Sequence, residues 1–393
     1  MKRKLLITAS TFPRCKDDTE PKFAYDLAKS MTKYYDITVL VPATPEAKTH
    51  ENIEGLEIIR YHYFPIKKWE TLCYPGAIVP RIKEKKIRIF LVPFLFFALY
   101  FKLKKILPYY DIVHAHWLIP QGIIQQFFST PYILTGHGGD VTSINKGLFR
   151  KLKRNAMKRA SYLTSVSSHL KEEMEKIYAT DKVEVISMGC DLKKYGSQNR
   201  VKNMFQQDDK KVILFVGRMV EKKGLKYLLK AMENIDALLV VVGDGPEKEK
   251  LVKLAEVHKE KVLFVGSKTQ DELRTIFASC DIFCIPSVKA KDGDQEGLPV
   301  VLIEAMASGL PVIGSRCGGI SELIEHKYNG ILVEQESPKE LYESINMLIN
   351  DENIRKTLSN NALESIKEYD YSVLAKKYYN LFENISNLKE EEQ

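Results

Sequence analysis

The chain has 393 residues, 45% of them hydrophobic and 28% charged, with a formal net charge of +8. That length exceeds what a single core usually fills, so two domains are expected, and the composition is that of a soluble globular protein. The modest positive charge suits anionic partners such as nucleotides, polyphosphates or an acidic membrane surface, and no nucleic-acid partner is expected.

The start, MKRKLLITAS, has a basic head, but its apolar run is short and the polar TFPRCKDD follows at once. It reads as a first buried strand rather than a signal peptide. The six cysteines include no CxxC pair, which points to a reduced, cytoplasmic setting.

In the first half, short β-rich runs (KLLITAS, ITVLVP, LEIIRYHYF, DIVHAHW, PYILTGH, YLTSVS, VEVISMG) alternate with amphipathic helical stretches such as FAYDLAKSMTKYY and SHLKEEMEKIYA. From Tyr195 to Lys211 the chain turns polar and loses its periodicity, as a linker would. The alternation then resumes through VILFVGRM, ALLVVVGDG, KVLFVGS, DIFCIPS, PVIGS and NGILVE.

This pattern predicts an α/β fold of two tandem, doubly wound, Rossmann-like domains facing across a cleft. They would span residues 1–200 and 205–370, with a last helix over 371–388 packing back on the first.

Residues 81–105, RIKEKKIRIFLVPFLFFALYFKLKK, fall short of a membrane span. Their basic flanks and Phe-rich centre admit two readings. One is a helix lying on an anionic membrane surface, which would place the protein on the inner face of the cell membrane. The other is a core helix with a solvated lysine-rich end.

The stretch QEGLPVVLIEAMASGLPVIGS, residues 295–315, carries the densest chemistry. Pro299 suits the first turn of a helix that Gly309 ends. The amides of Gly297, Leu298, Val300 and Val301 then form an anion site at the helix start. Glu296 stands beside that site and Glu304 sits in the second turn among apolar residues. A carboxylate there is costly unless paired, and a ligand's hydroxyls would satisfy it. The bland reading makes Glu296 a capping acid and Glu304 the partner of a core arginine.

In FVGRMVEKKGLKYLLKAM, a strand ends at Gly217 and is followed by Arg218 and Lys223, two cations placed to grip a diphosphate. VVGDGPEKEKL looks like a dinucleotide fingerprint but has Lys248 where the third glycine belongs, so a nicotinamide site is not expected. In ILTGHGGDVTS, His137 sits between glycines at a strand's carboxyl edge, able to bond a sugar hydroxyl or handle protons. His114 and His116 share a strand face and read as packing or supporting groups; a metal pair is the alternative, with no third ligand evident.

Together these residues resemble the retaining glycosyltransferases of the GT-B fold, the group that includes sucrose synthases. EGLPVVLIEAMASGLPVI carries that family's Glu, seven residues, Glu signature, and GRMVEKKG, VGDGPE, FVGS, TGHGGD and VISMGCDLKKY match further motifs. The resemblance implies transfer of a sugar, with retention, from a UDP- or GDP-sugar to a glycan or lipid-linked glycan, without a metal or other cofactor.

It assigns Arg218 and Lys223 to the diphosphate, with Gly217 beside them. Gly297, Leu298 and Pro299 become the turn beside phosphates and sugar, Glu296 contacts the sugar's hydroxyls, and Glu304 the ribose. His137 is assigned to the reacting sugar's 6-hydroxyl, and the loops at Gly245 and Gly266 to the base.

One stretch departs from the pattern. STFPRCKDDTEPKFAYDLA has no glycine where many members carry a glycine-rich loop, leaving Lys16 or Lys22 as substitutes. The alternative function is a nucleotide-sugar epimerase of the same fold.

Overall fold

Parallel sheets organise both halves of the chain. The computed structural model describes residues 2–15, 18, 22–206, 210–291, 293 and 295–391. The backbone separates into two units, Met1–Ser187 with Tyr371–Gln393, and Met188–Asp370.

Among the described residues of the first unit, eight strands lie in the order β3-β4-β2-β1-β5-β6-β7-β8. They are β1 (Lys4–Thr8), β2 (Asp36–Pro42), β3 (His50–Ile53), β4 (Leu56–Tyr61), β5 (Ile112–His116), β6 (Tyr132–Gly136), β7 (Tyr162–Ser165) and β8 (Val183–Val185). The central strands β1, β5 and β6 are almost wholly buried because both faces of a parallel sheet are covered. Apart from Lys4, the two histidines of β5 and the threonines ending β1 and in β6, their residues are apolar or glycine.

Only β3 was not expected from the sequence. It pairs antiparallel with β4 through a two-residue turn in which Glu54 and Gly55 have φ of 51° and 87°. Its residues, HENI, alternate between exposed and half-buried at the sheet edge, so no apolar run announces it.

The segment 81–105 resolves into the end of a helix Ile78–Glu84, a 3-10 turn Lys86–Phe90 and a helix Leu91–Ile106. Leu91, Leu95, Leu99 and Leu103, four residues apart, bury one stripe of that last helix in the core. Pro93 is tolerated in the first turn, where its missing N–H has no intrahelical partner to lose. Arg88 is buried, donates to the Arg81 carbonyl at 2.8 Å and pairs with Glu84 at 3.1 Å. The core reading therefore holds for one face of the helix. Among the described residues, no helix is long and apolar enough to cross a membrane.

In the second unit six strands, again among the described residues, lie in the order β11-β10-β9-β12-β13-β14. They are β9 (Lys211–Val216), β10 (Ala237–Val242), β11 (Val262–Gly266), β12 (Ile282–Ile285), β13 (Val312–Ser315) and β14 (Ile331–Val333), all parallel. Phe215, Leu228, Val241, Cys284 and Ile313 lie in their core.

The second unit begins at Met188, earlier than the polar stretch from Tyr195 suggested. The polar residues are anchored: the Cys190 N–H donates to the Tyr369 carbonyl at 3.1 Å, and the Val201 N–H to Ser279 Oγ at 3.0 Å. The last helix, Tyr371–Glu391, lies in the first unit. Its Tyr379 stacks on Tyr34 with ring centroids 4.6 Å apart, and Tyr378 and Phe382 cover His114.

Candidate active site

In the second unit the strands' carboxyl ends bring several predicted residues together. Gly217 and Arg218 follow β9 directly, and Arg218 is half-buried. Lys223 ends the 3-10 turn Glu221–Lys223, and its aliphatic stem runs past Gly217, where an added Cβ would lie 3.4 Å from Lys223 Cδ. The Lys223 Nζ lies 3.0 Å from Glu296 Oε1, with both side chains largely withdrawn from solvent.

Burial alone would raise the Glu296 carboxyl pKa, but the ammonium groups of Lys223 and Lys222 outweigh it and hold the carboxyl below its ordinary value. Lys223 meets Glu296 Oε1 as an ion pair, and no other group bonds that oxygen among the described residues. A buried carboxylate oxygen in that condition is poised to accept from a ligand hydroxyl.

Glu296 and Gly297 are held from behind by a loop that the sequence reading did not single out. Gly318 and Gly319 follow β13, and the Gly319 N–H reaches the Glu296 carbonyl at 3.4 Å. A Cβ on Gly319 would fall 1.8 Å from the Gly297 carbonyl oxygen, so the two backbones touch only because that residue is glycine. The Gly-Gly pair was the signal available.

Leu298 and Pro299 are buried, and the helix runs Val300–Ala307. Pro299 stands at its N-cap in extended conformation, one position earlier than the predicted first turn. Gly309, at φ 77°, terminates it as expected.

Glu304 is buried and accepts from the Tyr195 hydroxyl at 2.9 Å and from Gln270 Nε2. A phenol and an amide thus contribute to satisfying this carboxylate. Tyr195 belongs to the stretch read as linker, yet its ring is buried against Phe277.

Gly245 lies in the loop after β10 and Gly266 ends β11. Gly243 links the two loops, its N–H donating to the Gly266 carbonyl at 2.9 Å.

In the first unit His137 follows β6. One ring nitrogen, Nε2, lies 2.9 Å from His116 Nδ1, and Trp117 and Phe23 wall the ring with centroids 4.7 and 5.3 Å away. Burial, and secondarily the neighbouring His116, pushes the His137 pKa well below its ordinary value; burial alone takes His116 down to about 3. Both rings are therefore neutral at neutral pH, which favours hydrogen bonding over proton handling.

His114 Nε2 lies 2.8 Å from Thr135 Oγ1, beneath Tyr378. His116 thus supports His137 directly, and His114 packs. Among the described residues no three His, Cys, Asp or Glu side chains cluster as a metal site.

Asp140 fixes the His137 backbone. Its carboxylate accepts from the N–H groups of His137, Gly138 and Leu118 at 3.1, 2.8 and 2.8 Å. The buried Lys153 ammonium closes the other side, donating to the carbonyls of Asp140, Val141 and Ser143 at 2.8–3.1 Å.

The glycine-free loop uses side chains instead. Asp18 Oδ2 accepts from the Arg14 N–H at 2.7 Å, and the Arg14 guanidinium lies 4.1 Å over the Tyr74 ring. Lys22 immediately precedes the helix Phe23–Met31, and Lys16 lies outside the described residues.

Comparison with known proteins identifies the family. Residues 197–365 match the family model described as glycosyl transferases group 1, and residues 22–194 that of glycosyltransferase family 4. An uncharacterized glycosyltransferase of Methanocaldococcus jannaschii is 30% identical, the match covering 85% of this chain and 86% of that protein. A putative teichuronic acid biosynthesis glycosyltransferase of Bacillus subtilis is 28% identical, over 71% of this chain and 72% of its own.

The solved sucrose-phosphate synthase of Thermosynechococcus elongatus superposes with a TM-score of 0.80 at 19% identity, covering 98% of this chain and all of that one. HepE of Anabaena, solved in complex with UDP-glucose, gives 0.72 at 20% identity with 98% and 100% coverage. These structural likenesses establish the fold. Two Rossmann-like parallel sheets, both halves matched by family models and a relative similar along most of its length place this chain among the group 1 glycosyltransferases of the GT-B fold.

Proposed function

We propose that the protein transfers a hexosyl group, with retention at the anomeric carbon, from a UDP- or GDP-sugar to a glycan or lipid-linked glycan. The observation that carries this reading is the buried Lys223–Glu296 pair at the head of the helix Val300–Ala307. It sets a cation and a partly unsatisfied carboxylate beside the positive end of a helix dipole, which suits a molecule with both a diphosphate and hydroxyls.

In this reading Arg218, Lys223 and the amides of Gly297 and Leu298 hold the diphosphate and stabilise it as it leaves. Pro299 shapes that turn. Glu296 accepts from the transferred sugar's hydroxyls, and Glu304, oriented by Tyr195 and Gln270, accepts from the ribose. The loops at Gly245 and Gly266 flank the base. Neutral His137 bonds the sugar's 6-hydroxyl. No metal or other cofactor takes part; the two cations and the helix start carry the charge of the leaving group. The free cysteines, five of the six buried, support a cytoplasmic setting. The complex of HepE with UDP-glucose supports a uridine donor among the candidates.

The test is incubation with single UDP- and GDP-sugars, with and without glycan acceptors, following released nucleotide and the anomeric proton of the product by NMR. Donor-specific release with a retained anomeric configuration is expected. An inverted product, or an epimerised sugar formed without acceptor, would overturn the reading.

A further inference from the structure

The helix Leu91–Ile106 has a second face that the core does not use. Phe90, Phe97 and Phe101 are 72%, 64% and 63% exposed, and Phe94 is exposed between them, a stripe at intervals of four, three and four residues. The stripe continues at one end through Phe94 and Phe64, whose rings meet edge-on at 4.9 Å, to Trp69, stacked on Phe64 at 5.8 Å. Ile87 and Ile89 extend it along the preceding turn, both more than half exposed. So many large apolar side chains in one contiguous run exceed what scattered surface residues explain.

Lysines frame this face. Lys67 and Lys68 adjoin Trp69, Lys85 and Lys86 stand before the helix, and Lys104 and Lys105 close it, all exposed. From Lys85 to Tyr110 the sequence has no Asp or Glu. Aromatic side chains at the centre and ammonium groups at the rim match the interface of an anionic bilayer, where rings enter the headgroup boundary and lysines meet lipid phosphates.

We propose that this face docks the first unit on an anionic lipid bilayer. Docking deepens the proposed function, since it would set the enzyme beside a lipid-linked acceptor, but it is tested without turnover, so failure of one leaves the other standing. Charge decides against a second copy of the chain as the occupant, because two such lysine-rimmed faces would repel.

The experiment is flotation of the full chain with vesicles of phosphatidylcholine alone or mixed equally with phosphatidylglycerol. Binding to the mixed vesicles is expected, weakened by about tenfold or more in phosphatidylcholine alone and by added salt. The Phe94→Ser/Phe97→Ser/Phe101→Ser variant should lose it.

Should that variant fail to fold, the wild type still reports. Bromine-labelled acyl chains should quench Trp69 emission, an effect absent from Trp69→Phe. Wild type that neither floats nor is quenched overturns the proposal. So does concentration-dependent dimerisation of wild type, without vesicle binding, that the triple variant abolishes.

Discussion

Lys223 Nζ and Glu296 Oε1 stand 3.0 Å apart, with 14% and 8% of their side chains exposed, and Lys223 is the main compensation of the Glu296 charge, with Lys222 adding to it. Removing one partner of such a pair costs about 3–5 kcal/mol, whereas replacing both with apolar groups is often neutral. Lys223→Ala should therefore lower the urea midpoint clearly. Lys223→Met/Glu296→Leu should recover most of that loss while turnover stays reduced on the order of 10²-fold or more. A double variant that regained activity along with stability would deny the pair its role.

The same pair predicts an acid limb. The Glu296 carboxyl titrates below its ordinary 4.5 in the fold, so its stabilisation is complete above that pH and is lost as pH falls through the depressed folded value. Stability measured by denaturant titration from pH 6 downward should decline less steeply in Glu296→Gln than in wild type.

His137 and His116 are held neutral by burial, His116 down to about 3. Depressed imidazole pKa values contribute stability that is full above about 6.5 and falls progressively below it. The His137 C2 proton should titrate with a midpoint below 6.5, and kcat/KM should show no inflection at the ordinary imidazole value assignable to it. An NMR titration with a midpoint near 6.5 would contradict this.

Asp140 positions His137 through the three amides that it accepts. In Asp140→Asn, an amide nitrogen at one of the two oxygen positions would meet N–H donors in place of an acceptor. The expected cost is about 1–3 kcal/mol of stability. kcat should fall with little change in donor KM, since the donor's diphosphate contacts lie on other residues. A rise confined to KM would refute the positioning role.

Tyr195 donates to Glu304 at 2.9 Å. Tyr195→Phe removes that bond but keeps the ring against Phe277, so stability should drop by only about 0.5–1.5 kcal/mol. Donor KM should rise several-fold as Glu304 loses its orientation, with kcat nearly unchanged. An unchanged KM would separate Tyr195 from the donor site.

Two sheets, their described strands apart from β3, and the placing of Gly217, Arg218 and Lys223 after a strand and of Glu296 before a helix were legible in the sequence. Parallel strands buried on both faces are largely apolar, and cations after a strand necessarily appear at its carboxyl edge. Partners distant in sequence were not legible. Tyr195 reaches Glu304 across 109 positions, and its polar neighbours concealed a buried ring. Nor did alternation along β5 show that His116 would meet His137 just beyond the next strand, since that contact depends on the register of β5 against β6.

The helix Leu91–Ile106 shows the division most plainly. Its sequence determined that it would be apolar on every side from Leu91 to Phe101, whereas only tertiary packing decided which stripe entered the core and which phenylalanines stayed outside. Local pattern sets which elements form; the choice of neighbours comes from three-dimensional contact, because burial depends on what approaches each face.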